Sequence, residues 1–312
     1  MPHMNILILG AGEIGRALAH ILRNRKEESV TLWDKNADRV PGQQPLDLLL
    51  PTADIVFVCV PSVAIRNALT SIAGHLSQSA IVVTLTKGIE RETCKTTDKL
   101  IEEVLPSTAY AILSGPMLAE ELLQDSPGAA LVGTRDTATY GRIAEVFADT
   151  KLSVSHNKDP QSVALCGVLK NIYSVALGVV EATGDGANMR GIFFTKAVDE
   201  MTRVLRHLGA APDVAYGIAG LGDLVATATS PYSRNRVVGE ELGAGKHQNM
   251  ESEGLSALPC IPSLLGTHRA EFPILDTLCR IAHDGVPAVE LTAAVMLPFT
   301  AAAPHPDSRR SL

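Results

Sequence analysis

The first half of the chain alternates short apolar runs with stretches of helical spacing. The runs are Asn5–Leu9 (NILIL), Val30–Trp33, Asp54–Val60 (DIVFVCV), Ala80–Leu85 and Ala109–Leu113, with weaker ones at Ala129–Val132 and Leu152–Val154. Continuous rather than alternating apolar positions over so few residues predict strands buried on both faces, as in a parallel sheet. Between them, the segment that begins at Arg16, then Val63–Ala73, Met117–Leu123 and Thr137–Ala148, have helical spacing. Asp54–Val60 is expected beside the first strand. Beyond Pro160 the strand signals vanish, and helical periodicity covers Gln161–Val180, Met189–Leu208, Ser233–Leu242, Ile261–Leu265, Pro273–His283 and Val286–Leu297. The expected fold class is α/β: an N-terminal doubly wound parallel sheet over residues 1–156, an all-helical C-terminal domain over residues 157–300, and a frayed tail at 301–312. A length of 312 residues agrees, since it exceeds one ordinary core.

One helix carries an unusual charge. Pro160–Val180 (PQSVALCGVLKNIYSVALGVV) contains a single ionised residue, Lys170, with Asn171 beside it. A helix apolar on nearly all sides belongs in an interior, and an ammonium there either finds a carboxylate or lowers its pKa towards neutrality. Both outcomes make a proton-transfer group. The bland alternative is a lysine whose stem lies along apolar surface while its head reaches water.

The first strand runs into Gly10-Ala11-Gly12-Glu13-Ile14-Gly15, and a helix follows. Gly10 permits a tight turn, Gly12 lets a pyrophosphate approach the backbone, and Gly15 lets helix and strand pack closely, with the helix N-terminus towards the phosphates. Strand, glycine turn and helix in this order read as a Rossmann-like dinucleotide site rather than a turn used only for packing. The second strand finishes at Asp34, where an acid accepts hydrogen bonds from ribose hydroxyls and favours NAD. Lys35 beside it would instead meet a 2′-phosphate, which leaves NADP open. Thr86-Lys87-Gly88 and Ser114-Gly115-Pro116 end two further strands, at the carboxyl edge where ligands sit in open α/β sheets. Lys87 is therefore placed to meet phosphate or substrate, against the alternative of a solvated loop lysine. Later, Gly217–Gly222 leads into Asp223 and Thr227, then Ser230-Pro231-Tyr232-Ser233-Arg234-Asn235-Arg236. Arg234 offers a planar fork suited to phosphate, and Ser233 at a helix start adds donors. The same residues would also serve as a plain helix cap.

Composition narrows the classes. The 46% hydrophobic and 20% charged residues are those of a globular protein, and a formal net charge of -7 argues against a general nucleic-acid or membrane-surface binder while permitting a local basic pocket. Five cysteines, at 59, 94, 166, 260 and 279, are odd in number and scattered without a CxxC spacing, so a reducing, cytoplasmic compartment is expected. No uninterrupted apolar run reaches the roughly 18 residues of a membrane span, and no membrane insertion or signal peptide is expected. The nine histidines lack metal-ligand spacing, so no metal site is expected.

In order along the chain, GAGEIG at 10–15, VPS at 60–62, TKG at 86–88, SGP at 114–116, LKN at 169–171, GLGDL at 220–224 and SRNR at 233–236 resemble the NAD(P)-dependent glycerol-3-phosphate dehydrogenases, chiefly the bacterial type. The resemblance runs from Asn5 to Val295. It implies an oxidoreductase that interconverts sn-glycerol 3-phosphate and dihydroxyacetone phosphate with NAD, or NADP, as cofactor. Lys170 is then the proton acceptor for the secondary hydroxyl, Asp223 its partner, and Lys87 a contact to both cofactor and substrate. Gly115, Asn171 and Thr227 would join them around the substrate, and Ser233, Arg234 and Asn235 would hold its phosphate. The implied cofactor contacts are Gly10, Gly12, Glu13, Ile14, Gly15, Asp34, Lys35, Lys87, Ala119, Arg234 and Glu253. A small phosphorylated substrate and a second copy in a homodimer are the expected partners.

Three features depart from that family's pattern. Only residues 34–53 separate Trp33 from Asp54, where the family has a longer segment with a further strand, so the adenine side is expected to be trimmed or more open. Met117 stands where a hydroxyl residue is usual, and Leu255–Leu258 lacks the polar pattern expected after Glu253-Gly254. Two alternatives stay open on these grounds: a related two-domain reductase for another phosphorylated or phosphonate ketone or a hydroxy acid, and a catalytically silent dinucleotide-binding regulatory protein.

Overall fold

The computed structural model describes residues 3–23, 28–184, 186–246 and 250–298. The tail expected at 301–312 lies outside the described residues. β1 (Met4–Leu9) turns through the glycines into α1 (Glu13–Leu22), and β2 (Glu28–Trp33) returns beside it. There follow α2 (Leu46–Leu49), β3 (Ile55–Val58), α3 (Ile65–Ile72), β4 (Ile81–Thr84), α4 (Thr97–Val104), β5 (Ala109–Ser114), α5 (Ala119–Leu123), β6 (Gly128–Gly133), α6 (Thr137–Phe147) and β7 (Leu152–Asn157).

Among the described residues, seven strands form one sheet in the order β2-β1-β3-β4-β5-β6-β7. β3 lies beside β1, as expected, and every neighbouring pair is parallel except β5 and β6. The five residues of α5 are too few to carry the chain across the sheet, so β6 returns antiparallel next to β5. The apolar runs are continuous because both faces are covered. Leu7, Leu9, Val56, Val58 and Val82 point into one core, with α3 and α4, while Ile6, Ile8, Ile55, Phe57, Ile81 and Val83 point into a second, with α1 and α6. From β1 the chain moves outward to β2, then returns to the other side of β1 as β3. This reversal opens a crevice at the carboxyl ends of β1 and β3.

The helical half consists of α7 (Pro160–Ala182), α8 (Ala187–His207), α9 (Asp223–Thr229), α10 (Arg234–Gly243), α11 (Glu253–Ala257), α12 (Ile261–Leu265), α13 (Pro273–Asp284) and α14 (Val289–Met296). α7 is its axis. By length and composition alone it could cross a membrane, but its apolar stretch is wholly buried inside the fold. α8, α9, α10, α11, α13 and α14 pack around it, and it also touches β5 and β6. Asp159 caps its start by accepting from the Gln161 amide at 3.2 Å, and Pro160 occupies the first turn, where its missing N–H costs nothing. α10 lies so close to α7 that a Cβ on Gly239 would collide with the Val175 carbonyl. That close approach sets Asn235, at the start of α10, against Asn171.

Glu200 of α8 joins this packing to pH. Its carboxylate accepts from the Ile274 and Leu275 amides at 3.0 and 2.9 Å, capping α13, whose N-terminus has no side-chain cap of its own. Burial outweighs those bonds and pushes its pKa from 4.5 up to about 7. Between those values the folded chain holds a proton that the unfolded chain releases, so stability present at low pH is lost as pH rises through 7. Relative to Glu200→Gln, which stays neutral, the wild-type chain should lose about 2–3 kcal/mol between pH 5 and pH 8. Urea unfolding of both proteins at the two pH values measures the difference; a difference that does not change with pH contradicts the assignment.

Candidate active site

A cleft of about 420 Å³ lies where the carboxyl edge of the sheet meets α7, α9 and α10. Its sheet side comprises Gly12, Glu13 and Ile14 from the glycine turn, Cys59 to Pro61 after β3, and Leu85 to Lys87 after β4. Met117, Ala119 and Glu120 lie along it from the α5 region. Lys170, Asn171, Asp223, Thr227, Ser233, Arg234, Asn235 and Glu253 come from the helical half.

Three charged side chains meet at its base. Lys170 Nζ donates to Thr227 Oγ1 at 2.6 Å and lies 3.2 Å from Asp223 Oδ1. Lys87 Nζ donates to Asp223 Oδ2 at 2.6 Å and to the Gly115 carbonyl at 2.9 Å. One carboxylate is therefore shared by two ammonium groups. Asp223 and Thr227 stand four residues apart on α9 and so share a face, and Thr227 Oγ1 is 3.2 Å from Asp223 Oδ1. Burial lowers the pKa of Lys170 most, Asp223 raises it, and the neighbouring Lys87 lowers it again, leaving it at about 8. Burial alone would raise the pKa of Asp223, but the two lysines outweigh it and hold the carboxyl below its usual value.

Asp223 reaches this position through an irregular turn. A π-helical turn over Ile218–Gly222 precedes α9, with the Gly222 amide bonded to the Gly217 carbonyl at 3.1 Å. The sequence reading placed glycine punctuation here but no helix starting at Asp223.

The asparagines form a buried chain. Asn171 Nδ2 donates to the Lys87 carbonyl at 2.9 Å, Asn235 Nδ2 donates to Asn171 Oδ1 at 2.9 Å, and the Gly254 amide donates to Asn235 Oδ1 at 3.0 Å. Expected as substrate contacts, these side chains line the cleft but join its walls to each other. Ser233 is the N-cap of α10, its Oγ accepting from the Arg236 amide at 3.2 Å. Arg234 is exposed, lines the cleft and donates from Nε to the Glu251 carbonyl at 3.1 Å; among the described residues its other guanidinium nitrogens make no hydrogen bond.

At the other end of the cleft, Gly10 takes φ 105°, and a Cβ there would strike the Cys59 carbonyl. Gly15 packs against the Gly10 carbonyl, so neither glycine tolerates a side chain. Asp34 is buried behind the turn; its carboxylate accepts from the Ala11 amide at 2.7 Å and the Asn36 amide at 2.9 Å, and Arg39 lies 3.6 Å away. Asp34 and the exposed Lys35 lie outside the cleft lining, beyond the turn, and Gly115 contributes its carbonyl rather than an exposed face. Sequence reasoning missed one bond across the walls, from the Ser62 amide to Glu253 Oε1 at 3.0 Å. The VPS motif marked Ser62, but nothing local links it to a residue 191 positions away.

Comparison with known proteins bears on this geometry. The model of the NAD-dependent glycerol-3-phosphate dehydrogenase N-terminus matches residues 39–140, and that of the C-terminus of the same enzyme matches residues 159–293. A glycerol-3-phosphate dehydrogenase (NAD(P)+) of Synechocystis sp. is 34% identical over 305 residues, spanning 93% of this chain and 92% of that protein. This chain belongs to the NAD-dependent glycerol-3-phosphate dehydrogenase family. Glycerol-3-phosphate dehydrogenase from Coxiella burnetii matches it with a TM-score of 0.85 at 27% identity, over 93% of this chain and 98% of that one. A ketopantoate reductase from Ralstonia eutropha shares the fold at a TM-score of 0.59 and 17% identity, over 94% and 99% of the two chains.

The residues present fit the family's dinucleotide. Among the described residues, Glu253 Oε2 is buried beside the cleft without a hydrogen-bond partner. A Cβ on Gly12 would meet nothing within 4 Å, so the turn is open above it. α1 begins without a side-chain cap, which leaves its first amides for an anion. Gly12, Glu13, Ile14 and Glu253 are the groups of this family member that would hold the cofactor.

Proposed function

We propose that the protein interconverts sn-glycerol 3-phosphate and dihydroxyacetone phosphate, with Lys170 as the acid–base group. The observation that carries this reading is the placing of a buried amine, a guanidinium and an open glycine turn along one cleft. A bound nicotinamide supplies the hydride acceptor or donor. Lys170 takes the proton of the secondary hydroxyl in oxidation and returns it to the ketone oxygen in reduction. A pKa of about 8 keeps both of its forms populated near neutral pH. Lys87 has three N–H donors and spends two on Asp223 and Gly115, so the third serves the substrate oxygen. Arg234 and the first amides of α10 hold the phosphate. Asn171 and Asn235 act as positioning residues, keeping Lys87 and the wall at Gly254 in register.

We further propose that NAD is preferred over NADP, because the carboxylate of Asp34 is held in place by two amides and repels a 2′-phosphate. The test is oxidation of NADH and NADPH with dihydroxyacetone phosphate and with unphosphorylated dihydroxyacetone. Loss of the phosphate should lower kcat/KM by about 10²–10³-fold, the scale of a lost charge-assisted clamp. Arg234→Ala should remove most of that difference by raising KM for the phosphorylated ketone. Equal rates with and without phosphate in the wild-type enzyme would rule out this substrate class.

A further inference from the structure

We propose that Cys94 and Cys260 form a reversible thiol–disulfide clasp that tightens the dinucleotide end of the cleft, with small thiols and disulfides of the glutathione class as its reactants. The inference rests on the dinucleotide reading of the cleft and on no assumption about the substrate. The two cysteines are 166 residues apart in sequence, yet they are bridged, with a Cα–Cα separation of 5.3 Å that a disulfide spans without backbone movement. Cys59, Cys166 and Cys279 are buried and free.

The bridge joins the two walls of the cleft. Cys94 lies in the loop that leaves β4 through Lys87 and Gly88. Cys260 follows α11, whose first residue is Glu253. Where these segments face the cleft they already touch: a Cβ on Gly88 would press on the side chains of Ser62 and Glu253, and Glu253 accepts from the Ser62 amide.

The loop holds its own shape. The Glu90 amide bonds the Lys95 carbonyl at 3.0 Å, the Cys94 amide bonds the Glu90 carbonyl at 2.8 Å, and Arg66 pairs with Glu90. Cutting the bridge therefore leaves the loop folded and removes the covalent tie to the segment after α11, so that the Glu253 wall is held by the bonds to the Ser62 amide and to Asn235. Both oxidation states fit the site. The Arg91 carbonyl is 3.9 Å from Cys94 Sγ and 3.8 Å from Cys260 Sγ, so the thiols produced by reduction have an acceptor in place.

Accessibility sets the order of the exchange. Cys94 is partly exposed and takes φ 54°, a conformation few non-glycine residues adopt, whereas Cys260 is 1% exposed. An incoming thiolate attacks the Cys94 sulfur, and Cys260 leaves as a thiolate and takes a proton. A second thiolate then attacks the small-molecule sulfur of the mixed disulfide, Cys94 leaves and is protonated, and the reductant departs as its own disulfide. Two electrons pass from two small thiols to the bridge, and the oxidising direction is the reverse. In reducing compartments, disulfides are mainly of this sensing kind.

The test uses the full chain equilibrated in reduced or oxidised glutathione. Thiols are counted by maleimide labelling after denaturation, and NADH affinity is read from the fluorescence of Trp33, the single tryptophan. The oxidised chain should label at three cysteines and the reduced chain at five. Loss of preorganisation should weaken NADH binding about tenfold on reduction. Cys94→Ser, at the partly exposed position, should bind as the reduced chain does in both buffers, and Cys94→Ala should match it. Labelling of all five cysteines after oxidised glutathione, a bridge that glutathione does not reduce, or equal affinity in the two states would each overturn the proposal. A chain that shows the affinity change but reduces no dihydroxyacetone phosphate would count against the activity proposed above and leave the clasp standing.

Discussion

Lys170→Met should lower turnover in both directions by about 10²–10⁴-fold, the contribution of a positioned acid–base group, while NADH binds as before. Methionine is the informative replacement because it approximates the length of the buried lysine stem and removes the amine. The amine is held by Thr227 Oγ1 at 2.6 Å and Asp223 Oδ1 at 3.2 Å, so its position is set by α9 and not by the substrate. The pH profile gives an independent readout. Oxidation needs the neutral amine, so its rate should rise with pH and level off above about 8; reduction needs the ammonium and should fall through the same value. Both limbs should disappear in Lys170→Met. Turnover within a few-fold of wild type would remove Lys170 from the reaction.

Asp223→Asn should have the next largest effect, and a different signature. Asp223 lies between two ammonium groups, and removal of one member of a buried ion cluster costs about 3–5 kcal/mol if the charges stay. The lysines can relieve that repulsion by losing a proton. Since Asp223 raises the pKa of Lys170 more than any other group, with Glu253 adding less, its loss should move the Lys170 transition to below 8. Each unit of such a shift lowers the ammonium fraction above the pKa about tenfold. Reduction at pH 8 should therefore fall further than oxidation, and the gap should close as the pH is lowered. The measurement is the pair of pH–rate profiles beside a urea unfolding curve. A uniform loss in both directions at every pH would mean that Asp223 serves only to hold the fold.

The strands were legible in the sequence because burial on both faces leaves an apolar run that needs no distant partner to recognise, as in Asp54–Val60. The glycine turn was legible for a related reason, since Gly10 and Gly12 answer to local backbone geometry. α4 was not expected: TDKLIEEV has too few apolar positions to show a helical period, and its buried Leu100 and Ile101 make sense only against the sheet. α9 was hidden by the glycines of the π-helical turn before it. Met117, noted as a departure from the family pattern, proves to be a buried side chain on the cleft lining.

Asn171 and Asn235 mark the limit of reading residue types. An amide beside a buried lysine or an expected phosphate site reads as a substrate ligand, yet between them these two spend their bonds on partners 84, 64 and 19 positions away. The five scattered cysteines likewise suggested no pairing, and the fold joins two of them.

By itself, the sequence determined the order of strand, turn and helix in the first half, the helical second half, and the presence of one ammonium in an apolar helix. Those properties follow from spacing and side-chain polarity over a few neighbouring residues. Only the tertiary structure decided that Asp223 serves both Lys170 and Lys87, that Glu253 closes onto Ser62, and that the Lys170 amine titrates near 8. Desolvation and Coulomb forces depend on distances across the folded chain, and those distances are set by how α7, α9 and the sheet edge come together.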